Sequence, residues 1–98
     1  MEKCLEQICK DFEETKGYLK EPTPEKIELV NNIFHRFMDC FLHIGAQKLD
    51  FPKEFNEDVR LYNQGNEKLI TKYKDVDIRY LMLSDFYDYA RLTKLYKK

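Results

Sequence analysis

Apolar residues recur at three- and four-residue steps along most of this chain, and the longest such stretch runs from Thr23 to Gly45. This period predicts an amphipathic helix. Thr23 can act as its N-cap with Pro24 in the first helical position, and Gly45 suits a left-handed C-cap. Its apolar residues are Ile27, Leu29, Val30, Ile33, Phe34, Phe37, Met38, Cys40, Phe41 and Ile44. A stripe of this width predicts a helix that contacts more than one neighbour.

A shorter stripe near the start predicts a first helix over residues 2–16. Its residues are Leu5, Ile8, Cys9 and Phe12. Gly17 provides a stop after it, and the two prolines of the connection GYLKEPTP prevent the helix from continuing. Tyr18 and Leu19 in this connection are expected to fold back onto the core.

The linker GAQKLDFP separates the second helix from the third segment. Leu49 and Phe51 are expected to pack inward beneath it. Asp50 can cap the following helix, with Pro52 in the first turn.

The third segment keeps one helical phase over a long distance, although a turn-like cluster lies within it. Its apolar residues are Phe55, Val59, Tyr62, Leu69, Ile70 and Tyr73. The sequence Asn63-Gln64-Gly65-Asn66 opposes a continuous helix, because a Gly inside a helix costs about 1 kcal/mol. The preserved phase favours one helix that bends at Gly65, and two helices separated there are the alternative.

The last segment predicts a helix that is capped by Asp75 or Asp77 and runs to about Lys97. Its stripe consists of Met82, Leu83, Phe86, Tyr87, Tyr89, Ala90 and Tyr96. Residues 76–83 also alternate like a short strand, but no partner strand is apparent, so the helix is preferred. Four amphipathic helices with short connections predict an all-α fold, a single-domain antiparallel four-helix bundle over residues 1–98.

The composition of the chain argues against several classes of function. The chain has 98 residues, 36% of them charged, and a formal net charge of −1. This balance disfavours nucleic acid and anionic membranes as partners. No apolar run reaches the roughly 18 residues that a membrane span needs. The three glycines are scattered singly, so no phosphate-binding loop is predicted, and no cofactor is expected.

The three cysteines are Cys4, Cys9 and Cys40. An odd number without tight spacing is a poor disulfide framework, so all three are expected to be reduced and packed in apolar stripes. This predicts a reducing, cytoplasmic setting. The N-terminal sequence MEKCLEQICK lacks the apolar core of a signal peptide, which agrees with that location.

The polar face of the second helix carries the most suggestive side chains. His35, Asp39 and His43 form an i, i+4, i+8 ladder, and side chains one turn apart can converge on a divalent metal. No further ligand accompanies them, so a solvated face is the preferred interpretation and the metal site is the alternative. Paired carboxylates at Glu13-Glu14, Glu57-Asp58 and Asp85-Asp88 are likewise expected to face solvent.

Arg36 and His43 lie on the same face, six residues apart. An arginine that holds a phosphate and a histidine that transfers protons suit RNA cleavage through the 2′-hydroxyl. The pair resembles the Arg-x4-6-His motif of the HEPN ribonuclease superfamily, whose members are helical bundles of about this size. The resemblance covers one helix and implies an RNA-cleaving bundle as the alternative function, with Arg36 and His43 as its catalytic residues.

The remaining feature is an excess of aromatic residues, with seven Tyr and seven Phe. The Phe residues are expected in the core, whereas Tyr favours interfaces. The tyrosines of the last helix span too much of its circumference to pack against one core. The predicted partner-binding surface comprises Tyr80, Tyr87, Tyr89, Arg91 and Tyr96. The leading interpretation is a small, non-enzymatic, cytoplasmic protein-binding module of the inhibitor, immunity, accessory or assembly-factor type, with self-association as a variant.

Overall fold

The computed structural model describes residues 3–41, 53–94 and 96. The described residues are helical and connecting segments without a strand, and they form one compact globule with a radius of gyration of 12.9 Å. The helices are α1 (Lys3–Glu13), α2 (Pro24–Cys40), α3 (Lys53–Asn63), α4 (Glu67–Lys72) and α5 (Val76–Leu92). The all-α prediction is confirmed, and residues 76–83 are helical as preferred.

The predicted start of α2 is confirmed by its cap. The Thr23 hydroxyl accepts a hydrogen bond from the Lys26 backbone N–H at 3.3 Å, and Pro24 occupies the first turn. The described part of this helix ends at Cys40, and the Phe41 N–H still donates to the carbonyl of Phe37. The predictions for Gly45 and for the linker residues Leu49, Asp50, Phe51 and Pro52 lie outside the described residues.

Helix α1 buries the predicted stripe but ends at Glu13 rather than at residue 16. The turn that follows has a positive φ of 84° at Gly17, a conformation that a Cβ would oppose. This turn directs Tyr18 onto the core, where only 1% of its surface is exposed. The same prediction for Leu19 is wrong, because this side chain points outward and is 58% exposed.

The third segment is two helices, so the single bent helix is wrong and the alternative is correct. Helix α3 ends at Asn63, and Gly65 takes a φ of +81°. The Asn66 side chain then accepts hydrogen bonds from the backbone N–H groups of Lys68 and Leu69, which starts α4 anew. A left-handed Gly followed by a strong N-cap residue outweighs the continuity of the apolar phase.

Helices α1, α2 and α5 pack against one another. The Cys4–Cys40 bond joins the start of α1 to the end of α2. Asp11, near the end of α1, pairs at 2.7 Å with Arg36, which precedes Cys40 on α2, so these two helices run antiparallel. Arg79 at the start of α5 donates to Asn31 near the start of α2, and farther along the Phe37 and Phe86 rings lie 4.9 Å apart. Helices α2 and α5 therefore run in the same direction.

The core is rich in aromatic rings. All the Phe residues whose side chains are described are buried, which confirms the prediction for them. Phe34 joins α2 to the α3–α4 unit, because its ring lies 5.6 Å from Tyr62 and 5.8 Å from Tyr73. The buried Phe residues are Phe12, Phe34, Phe37, Phe41 and Phe86.

The prediction of three reduced cysteines is wrong. Cys4 and Cys40 form a disulfide between α1 and α2, and the Cys4 side chain is exposed rather than part of a buried stripe. The antiparallel packing brings these two residues together although 36 positions separate them. Cys9 is the free cysteine, and it is buried. The cytoplasmic setting therefore loses the support of the cysteines, because disulfides are rare in that compartment, and it stays a prediction.

Within the described ranges, every helix is too short or too polar to cross a membrane.

Candidate functional site

Two tyrosines of the predicted partner-binding surface are structural. Tyr87 on α5 and Tyr96 after it are buried, with 8% and 6% of their surfaces exposed. Both hydroxyls donate to the Glu13 carboxylate at the end of α1, at 2.6 Å and 3.0 Å. One carboxylate thus joins α1, α5 and the segment after α5. Neither tyrosine can contact a partner with its whole ring unless this arrangement opens.

Two more tyrosines hold carboxylates in the same way. The Tyr18 hydroxyl donates to Asp77 at 2.6 Å, and the Tyr73 hydroxyl donates to Asp58 at 2.5 Å. The expectation that Glu13 and Asp58 face solvent is therefore wrong. Much of the tyrosine excess is explained by these hydrogen bonds, which connect elements that are distant in the sequence.

Burial and the neighbouring carboxylates raise the pKa values of these tyrosines. Burial first, and then the hydrogen bond to an anionic partner, raises the pKa of Tyr18 and of Tyr87 to about 12. The same two causes raise the pKa of Tyr73 and of Tyr96. Burial, with a smaller effect from Glu13, raises the pKa of the Cys9 thiol to about 12. All these groups are neutral in the folded protein at physiological pH, and none is an activated nucleophile.

These shifts predict a loss of stability in alkali. The unfolded chain releases the tyrosine protons near pH 10, whereas folded Tyr18 and Tyr87 keep theirs up to about pH 12. The stabilisation is complete below pH 10 and is lost as the pH rises toward 12, because the unfolded state then binds fewer protons. Denaturant unfolding across this range should show a falling free energy of unfolding. The double variant Tyr18→Phe/Tyr87→Phe should show a flatter profile, and an equal slope in both proteins would contradict the assignment.

The other three residues of the predicted surface are less buried than Tyr87 and Tyr96. Tyr80 is half-buried, with its ring 5.3 Å from Phe12 and 5.1 Å from Tyr18. Tyr89 is half-buried against the core. Arg91 is exposed, and its guanidinium lies 5.7 Å from the Tyr87 ring. Arg91 is thus the most accessible of the five predicted residues.

The side of α5 that faces away from the core carries a different set of residues. Three aliphatic side chains are exposed there: Ile78 at 39%, Leu81 at 51% and Leu92 at 83%. Asp85 and Asp88, both exposed, lie between them on the same side of the helix. We call these five residues the outer face of α5. Sequence reasoning assigned Asp85 and Asp88 to solvent, which the structure confirms, but overlooked the aliphatic residues around them.

A groove of about 240 Å³ adjoins this face. Helix α5 forms one wall with Ile78, Leu81, Met82 and Asp85, and Tyr73 lies opposite. The remaining lining residues are Asp58 and Lys72, which form an ion pair at 2.6 Å. The groove is therefore lined by both aliphatic and charged side chains.

The structure adds no support to the two sites predicted on the polar face of α2. Arg36 is engaged in the ion pair with Asp11 that joins α2 to α1. His35 and Asp39 are exposed, and His43 lies outside the described residues. The structure therefore leaves both the Arg36–His43 pair and the complete metal ladder untested. Elsewhere in the described part of the chain, no three His, Cys, Asp or Glu side chains are close enough to hold a metal ion.

Comparison with protein-family models, curated proteins and solved structures found no match to this chain.

Proposed function

We propose that this protein is a small, non-enzymatic protein-binding module of the inhibitor, immunity, accessory or assembly-factor type, and that it binds its partner through the outer face of α5. The observation that carries this proposal is the exposure of Ile78, Leu81 and Leu92 along one side of a helix whose opposite side is buried. Exposed aliphatic residues that line one side of a helix and are bordered by polar groups occur in binding surfaces.

The exposed aliphatic side chains of the outer face are not part of the hydrophobic core. Helix α5 already packs against α1 and α2 through Met82, Leu83, Phe86, Tyr87 and Ala90. Leu81 and Leu92 leave apolar area in water, and a partner that covered it would gain roughly 25 cal/mol for each Å² removed from water. The outer face therefore contributes more to binding than to the stability of the free protein.

The surface that we propose overlaps the one expected from the aromatic residues. Arg91 and Tyr89 border the outer face and supply the polar rim that surrounds apolar anchors in many interfaces. Tyr87 and Tyr96 support the helix from behind through Glu13. Their part in the proposal is to hold α5 in place.

The same proposal keeps the antiparallel four-helix bundle, with α3 as the fourth helix. Its support is the edge-on contact between the Phe34 and Tyr62 rings and the burial of Val59 on α3. In this arrangement α5 presents its outer face on the side away from α1 and α2.

The test compares a variant that replaces two exposed leucines of the outer face by aspartate with a variant that replaces one exposed leucine elsewhere by aspartate. Tagged wild-type protein should retain a stoichiometric protein from its host, and Leu81→Asp/Leu92→Asp should lose it. Removing a binding anchor costs about 2 kcal/mol or more, which is some thirtyfold in Kd. The matched control is Leu19→Asp, because Leu19 is 58% exposed in the connection after α1.

The control must leave binding within about twofold of wild type, because its charge lies away from α5. Circular dichroism should show equal helix content in all three proteins. Retention of the same partner by Leu81→Asp/Leu92→Asp would overturn the proposed surface, whatever the effect of Leu19→Asp.

A further inference from the structure

We infer that the outer face of α5 receives a basic amphipathic segment of a protein partner, and that the adjoining groove takes the side chain of one lysine or arginine from that segment. This inference rests on the proposed function and specifies the chemistry of the partner. It is carried by the combination of aliphatic and acidic side chains on one face and by the shape of the groove beside them.

The groove suits a side chain with an aliphatic stem and a cationic end. Ile78, Leu81 and Met82 provide an apolar wall along which methylene groups can pack. Asp85 also lines the groove, where it can accept hydrogen bonds from an ammonium or guanidinium group. The other lining carboxylate, Asp58, already binds Lys72 and Tyr73. Among the described residues, Asp85 is therefore the lining carboxylate that has no bonded partner.

The groove is smaller than most small-molecule pockets. Its volume of about 240 Å³ lies below the range of about 300–1,000 Å³ that is usual for small-molecule pockets. A long side chain from a larger partner can enter such a groove, while the rest of the partner covers Leu92 and the helix beyond it.

The two charged residues of the outer face are acidic, and Arg91 is the basic residue at its border. Neither Asp85 nor Asp88 makes a side-chain hydrogen bond or ion pair with another described residue. Leu81 and Leu92 lie beside these carboxylates on the same side of the helix. The complement to this pattern is a helix that carries leucine-like residues next to lysine or arginine.

The same charges disfavour the other occupants. Two copies of α5 packed through their outer faces would bring Asp85 and Asp88 of one chain against those of the other, and such like-charge contacts are costly. Nucleic acid and anionic lipid would be repelled for the same reason. A basic protein segment is the occupant that uses both the aliphatic and the acidic groups.

The experiment uses two synthetic helical peptides with the same leucine face, one carrying lysine and the other glutamate at the polar positions. Isothermal titration calorimetry of the full-length protein should show binding of the lysine peptide and none of the glutamate peptide. Asp85→Asn/Asp88→Asn should weaken the lysine peptide about tenfold or more, and added salt should weaken it further. The matched control is Glu21→Gln/Glu28→Gln, which removes two exposed carboxylates elsewhere and should change the affinity by less than about twofold.

The outcomes separate this inference from the proposed function. If binding of both peptides depends on Leu81 and Leu92 but not on Asp85 and Asp88, the basic partner is ruled out and the docking surface stands. If neither peptide binds, or the control pair weakens the lysine peptide as much as Asp85→Asn/Asp88→Asn, the inference is overturned, while the capture experiment still decides the proposed function. A concentration-dependent dimer in sedimentation that Leu81→Asp dissociates would identify a second copy as the occupant and would also overturn it.

Discussion

Phe37→Ala is expected to destabilise the protein by about 3–5 kcal/mol, the usual cost of removing a buried Phe side chain. Phe37 has no exposed surface, and its ring lies 4.9 Å from Phe86 on α5 and 5.4 Å from Phe41. The cavity would open where α2 meets α5. Because small domains have a total stability of about 5–15 kcal/mol, denaturant unfolding should show a much lower midpoint or an unfolded protein.

Two further variants serve as controls for this prediction. Phe37→Leu leaves most of the site filled, so we expect a folded protein with a smaller loss of stability. Leu19→Ala alters a side chain that is 58% exposed and should stay within about 0.5 kcal/mol of wild type. A Phe37→Ala protein as stable as Leu19→Ala would contradict the placement of Phe37 in the core.

Reduction of the Cys4–Cys40 disulfide is expected to cost about 3–4 kcal/mol. The bond closes a loop with a sequence separation of 36, and chain-entropy estimates for a loop of that length give a value of this size. Urea unfolding with and without dithiothreitol measures the difference. The variant Cys4→Ser/Cys40→Ser is the control, because the reductant should have no effect on its stability.

Thiol labelling adds an independent check on the cysteines. The native protein should contain one free thiol, Cys9, and burial should keep it unreactive until the chain unfolds. Rapid labelling of all three cysteines in native, oxidised protein would contradict the disulfide. If the protein works in a reducing compartment, its working stability is that of the reduced form.

The helices were predictable where one local rule decided the outcome. Thr23 caps α2 as predicted, and Asp75, one of the two predicted candidates, caps α5, because an N-cap needs only residues within the next turn. The break between α3 and α4 was harder, since the apolar phase continues across Gly65 while the backbone does not. Asn66 caps the new helix there, and periodicity alone could not reveal this start.

The candidate site was less predictable, because it depends on which residues meet across the fold. The Tyr87 and Glu13 side chains are 74 positions apart, and no local pattern shows that this hydroxyl meets that carboxylate. The outer face of α5 could have been recognised from the sequence, since Leu81 and Leu92 fall opposite the Met82–Phe86 stripe. The prediction concentrated on tyrosines, which are usual at interfaces, and two of them, Tyr87 and Tyr96, are buried and donate to Glu13.

The most direct test of the central claim is photo-crosslinking in the native host with a benzophenone amino acid in place of Leu81. Benzophenone captures whatever lies against it, so the partner need not be identified before the measurement. We expect a crosslink from position 81 to one protein and none to that protein from position 19, which is exposed in the connection after α1. A crosslink from position 19 with none from position 81 would show that the protein binds through another surface.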